Sequence, residues 1–84
     1  MVGKAILFAW MSLLFPADGP WMESLRQPRD PWELPAFADI PQPGATIEVG
    51  RPILTFFARA SSVEACREKL WQIAADLERC LFRR

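Results

Sequence analysis

The sequence predicts an α+β domain: a small antiparallel sheet of three or four strands, one long C-terminal helix packed on one face, and a long Pro-rich loop. Three observations predict it. Residues 44–60 carry turn signals and strand patterns, residues 61–83 carry one unbroken helical stripe, and residues 16–43 hold seven of the eight prolines. With residues 1–15 as an N-terminal strand, the 84 residues form a single domain.

The first element is expected at Ala5–Trp10, extending toward Leu14. It is apolar on both faces, as a central strand would be. Two other readings of this stretch stay open. Periodicity alone does not separate it from a short buried helix. A Lys4 start followed by an apolar run ending at Phe15 also has the outline of a signal segment, although Phe15-Pro16-Ala17 puts a bulky residue where cleavage wants a small one. The run is too short to span a membrane, which takes roughly 20 apolar residues.

Pro16 to Pro43 excludes a central strand or a long helix, because proline lacks a backbone donor and restricts its predecessor. Trp21, Trp32, Leu34 and Phe37 lie in this segment. Such side chains either staple a loop to the core or form an apolar docking surface. Pro43-Gly44 predicts a type II turn. Thr46–Val49 alternates as a half-exposed strand, and Pro52–Ala58 is apolar on both faces and belongs inside the sheet. The two read as a hairpin with Gly50-Arg51 at its tip.

Ser61-Ser62-Val63-Glu64 predicts a capping box opening the last helix, with Ser61 as the cap. Val63, Cys66, Leu70, Ile73, Leu77 and Cys80 make its apolar stripe, widened by Trp71, Ala74 and Leu81. Glu64 with Arg67, and Asp76 with Arg79, pair on the wet side. Arg79, Arg83 and Arg84 suit the C-terminal end of the helix dipole. Cys66 and Cys80 stand about 21 Å apart along such a helix, so they cannot bond to each other.

Composition narrows the function classes. Ten basic and ten acidic side chains cancel, which excludes the concentrated positive field that nucleic acid requires. Histidine is absent, and with it the commonest general base and metal ligand. Two cysteines make neither a zinc site nor a disulfide framework, and a reducing cytoplasm is the simplest home. No catalytic or cofactor-binding constellation is legible. Asp39, Glu48, Arg51 and Arg59 are the polar groups near residues 37–62, and solvated charges explain them better than a small active site does. The candidate interaction surface is Trp21, Trp32, Phe37, Asp39 and Arg51.

Gly3-Lys4-Ala5-Ile6-Leu7, Ala38-Asp39-Ile40-Pro41-Gln42-Pro43-Gly44, Ile47, Gly50-Arg51-Pro52-Ile53-Leu54-Thr55, Ala58, Ser61-Ser62-Val63-Glu64-Ala65-Cys66 and Leu70 together resemble the C-terminal end of ATP-grasp carboxylate–amine ligases. Biotin carboxylases and glycinamide ribonucleotide synthetases, which are related, end in a small β-rich domain of this layout. The resemblance implies a non-catalytic accessory module that packs on, or helps close, a catalytic core outside this chain. That core is the implied partner, and ATP and Mg are implied for the parent ligase alone. The chain departs from the catalytic pattern: it has no Glu-x-Asn motif for magnesium, no glycine-rich phosphate loop, and only Lys4 and Lys69 as lysines. Residues 43–53 also resemble half of a biotinyl or lipoyl carrier domain, but no lysine occupies the hairpin, so a carrier role fails. The alternative is a free-standing module that binds a partner, or itself, through the Pro/Trp loop. Whether the chain is a stand-alone module or a piece of a larger ligase is open at this point.

Overall fold

The computed structural model describes residues 1–22 and 35–82. Its elements are β1 (Val2–Phe8), β2 (Leu13–Leu14), β3 (Phe37–Ala38), β4 (Thr46–Ile47), β5 (Pro52–Arg59) and α1 (Val63–Phe82). The α+β prediction holds. A three-stranded antiparallel sheet runs β1-β5-β3, a two-stranded sheet pairs β2 with β4, and one long helix follows β5.

β5 takes the central position, as its apolar run requires. Ile53, Leu54, Thr55, Phe56 and Ala58 are all buried, and Pro52 sits at the first position, where a missing donor costs least. The expected hairpin of residues 44–60 does not form. β4 pairs with β2 instead, Leu13 opposite Ile47, while β5 pairs with β1, Val2 opposite Arg59. Backbone bonds bridge the gap: Ala9 N–H to Arg51 O at 2.9 Å, Gly50 N–H to Ala9 O at 2.7 Å, and Phe15 N–H to Ala45 O at 2.9 Å. Residues 2–15 and 44–59 are thus the two arms of one long ribbon. The Pro-rich segment joins its ends and returns β3 to the far side of β5.

The turn chemistry explains this change of partner. Gly50 has φ +86°, and Arg51 N–H bonds Glu48 O at 3.1 Å, closing a tight turn over residues 48–51. Such a turn ends β4 at Ile47 rather than leaving Thr46–Val49 extended, so the turn is a kink within one arm. The Pro43-Gly44 turn forms as expected, with Gly44 at φ +84° and Ala45 N–H on Gln42 O at 3.0 Å.

β1 differs from the expected central strand. It starts earlier, at Val2, ends at Phe8, and lies at the sheet edge. Gly3, Ala5 and Leu7 face inward, and Val2, Lys4, Ile6 and Phe8 alternate outward and are exposed. Gly3 lies inside this strand rather than ahead of it. A Cβ there would stand 2.7 Å from Cys66 Sγ and 3.0 Å from Leu70 Cδ1, so only a bare backbone lets the helix approach this closely.

α1 lies over both β5 and β1. Cys66, Leu77 and Leu81 are its buried residues; Leu70, Ile73 and Cys80 are half-buried, and Val63 is exposed. Trp71 does not widen the buried stripe, being 71% exposed. The helix cap is Ser62, not Ser61: its Oγ accepts from Ala65 N–H at 3.1 Å, three residues on. Glu64 therefore falls one position short of the box partner. Of the two expected pairs, the ion pair present among the described residues is Arg79–Asp76. Both cysteines are free thiols.

Candidate functional site: an apolar strand and its flanks

Of the residues singled out from the sequence, the described ones do not form one surface. Trp21 is 1% exposed, and its ring packs 4.5 Å from that of Phe15. Phe37 is likewise buried, beside Phe56 in the sheet register. Both are core, which is the stapling role open to loop aromatics. Trp32, Leu34 and the prolines at 28 and 31 lie outside the described residues, as do Arg83 and Arg84.

Asp39 is exposed and occupies the left-handed region at φ +54°, a conformation that aspartate tolerates better than most residues. Its Oδ2 accepts a 2.8 Å hydrogen bond from the Thr55 hydroxyl. Thr55 is the buried polar residue of the described core, at 4% exposure. Asp39 therefore satisfies a hydroxyl that the core would otherwise strand. Arg51 is elsewhere, on the turn that ends β4. With Glu48, Thr46, Ile47 and Pro52 it lines an open depression of about 440 Å³. Arg59, near the end of β5, has its carbonyl bonded by Lys69 Nζ at 2.7 Å.

Among the described residues, no three Cys, Asp or Glu side chains converge to hold a metal ion, and no helix is long and apolar enough to cross a membrane.

The feature that the sequence reading missed is apolar. Val2, Ile6 and Phe8 on the outer side of β1 are exposed, and so are Trp10, Met11 and Leu14 just beyond it. The Trp10 ring packs against that of Phe82, centroids 5.0 Å apart, which ties this stretch to the end of the helix. On the helix side of the same strand, a groove of about 430 Å³ runs between Ala5 and Leu7 and the helical residues Leu70, Trp71 and Ala74. Arg67 stands toward one end of the groove and Glu78 toward the other. The signal in the sequence was Lys4. A charged residue in phase with Val2, Ile6 and Phe8 marks that face as wet, whereas the apolar run around it suggested burial.

The chain matches no protein-family model, no curated protein and no solved structure.

Proposed function

We propose that the chain is a non-catalytic, cytoplasmic interaction module, the C-terminal accessory unit of an ATP-grasp-type ligase, which packs on a catalytic core through its N-terminal strand. The observation that carries the interaction part is the exposure of Val2, Ile6 and Phe8, which share the face of β1 turned away from the helix. Large apolar side chains exposed together on one strand face suit a surface that another protein covers. In this reading the docking surface is the strand that precedes the Pro/Trp loop.

Support for the ligase part is the motif set, whose members make the specific contacts of the fold. Asp39 bonds Thr55, Gly3 admits Cys66 and Leu70, and the Cys66 thiol points at the Ala58 carbonyl, 3.5 Å away. In this reading the shared residues hold the shape of an accessory unit, while ATP and Mg belong to the core. The same patch also serves the second reading, a free-standing module bound to another protein.

The test is co-expression with an ATP-grasp core encoded beside or in frame with this chain. The expected result is a complex that Ile6→Ser/Phe8→Ser disrupts, with no shift in the melting temperature of the isolated chain on adding Mg-ATP. A shift with Mg-ATP overturns the non-catalytic reading. Absence of any such core removes the ligase reading, and a complex indifferent to the two serines removes the docking surface.

A further inference from the structure

The outer edge of β1 and the adjacent stripe of α1 form a surface complementary to itself. We propose that two copies of this chain pair antiparallel through β1, joining their sheets edge to edge and setting their two α1 helices side by side.

The backbone of β1 is poised for this. Met1 O accepts from Ala60 N–H at 3.0 Å, so in a regular ladder residues 1, 3, 5 and 7 direct their peptide groups toward β5. Val2, Lys4 and Ile6 direct theirs away from it. Among the described residues nothing pairs with that outer edge. Seven residues of open edge are a ready template for another strand.

Side chains choose both the partner and the register. Of the antiparallel registers, the two centred on the middle of β1 set Lys4 opposite Lys4 of the partner subunit, or Ala5 opposite Ala5 of the partner subunit. The first sets like charges against each other. The second sets Lys4 against the partner's Ile6, and Val2 against the partner's Phe8, covering two exposed apolar side chains.

The helix reaches the same axis independently. Gly3 lies against Cys66 and Leu70, that is, at the level of about residue 68. The strand advances roughly 3.3 Å per residue and the helix 1.5 Å, so two strand residues match about four helical ones. Ala5 then lies level with residues 72–73. Those are also the midpoint between Arg67 and Glu78, which stand toward opposite ends of the groove. A two-fold axis at Ala5 therefore brings Arg67 opposite the partner's Glu78, and Glu78 opposite the partner's Arg67. Trp71, exposed on one protomer, falls beside the axis, where burial of its ring is worth most.

Spacing agrees as well. α1 lies over β1 and β5 together. Two such positions related across a β1–β1 junction are two strand spacings apart, about 9.5 Å. Helices in direct contact pack at 8–10 Å, so extending the sheet seats the two helices against each other without a gap.

Sedimentation of the full chain from micromolar to near-millimolar concentration tests the proposal. The expected result is a monomer–dimer equilibrium, weakened about tenfold or more by Arg67→Glu or by Glu78→Arg and restored by the two together. A chain that stays monomeric throughout, or a double reversal that fails to restore pairing, overturns it. Ile6→Pro removes an outward N–H and leaves the ladder to β5 intact, so circular dichroism should show the folded signal while the dimer is lost. Should that variant unfold, the exposed charge reversals still decide. Ala5→Cys reports the register: across the axis its Cα–Cα separation is about 4.5 Å, within disulfide reach. Oxidation should link two copies through residue 5, and failure to link overturns this register. Loss of the dimer in Arg67→Glu or Glu78→Arg, with the ligase-core complex intact, separates this inference from the function proposed above.

Discussion

The Thr55 hydroxyl, buried in the central strand, donates to the Asp39 carboxylate 2.8 Å away, across 16 residues of sequence. The bond ties the end of the Pro-rich segment to the middle of the sheet. It also explains why a charged residue holds a left-handed backbone conformation beside β3.

Removing either end should cost different amounts. Asp39→Ala leaves a buried hydroxyl without an acceptor and should destabilise the fold by about 1–3 kcal/mol in urea unfolding. Thr55→Val removes the need for the acceptor and should stay within about 1 kcal/mol of the parent. Asp39→Asn keeps both an acceptor and tolerance of positive φ, and should lie between them. Equal losses for Ala at 39 and Val at 55 would show that the bond is not what the site requires.

Gly3→Ala drives a methyl against Cys66 Sγ and Leu70 Cδ1. Overpacking of this kind costs about 1–3 kcal/mol. Because the clash is with one sulfur above all, Cys66→Ala should recover part of the loss, and a double-mutant cycle should return a favourable coupling. Additive losses would mean that the helix simply shifts away.

The helix start separates two adjacent serines. Ser62→Ala removes the acceptor for the Ala65 amide and should cost about 1 kcal/mol, whereas Ser61→Ala should be close to neutral in thermal unfolding. The reverse order would restore Ser61 as the cap.

Leu77 and Trp71 share one helix and should behave oppositely. Leu77 is fully buried, so Leu77→Ala should cost about 2–5 kcal/mol. Trp71→Ala removes a larger side chain that the monomer scarcely covers, so it should leave monomer unfolding nearly unchanged while weakening self-association.

The two thiols should label at different rates. Cys66 is buried under Gly3 and Cys80 is half-buried. A bulky thiol reagent should modify Cys80 first and Cys66 only as the fold opens. Simultaneous labelling would contradict the packing of the helix on β1.

Local chemistry determined much of this protein directly from its sequence. Proline and glycine placed the turn at residues 43–44, because their backbone preferences act within a few residues. The spacing of Cys66, Leu70, Leu77 and Leu81 made the helix and its buried side, because a helix satisfies its own backbone. The apolar run of β5 made it the central strand, since no other place hides both faces. Tertiary structure alone decided which strands pair. A strand's hydrogen bonds go to a partner that pattern does not name, so β4 turned to β2 and β5 to β1, and the hairpin expected between them gave way to a longer ribbon. The same choice put β1 at an edge and made an apolar strand, whose sequence suggests a core, into an exposed surface. It also buried Trp21 and Phe37, whose exposure depended on where the loop returned. The candidate interaction surface was illegible for that reason: exposure belongs to the arrangement of elements, while the sequence of each element records only which side chains gain from burial once a partner arrives.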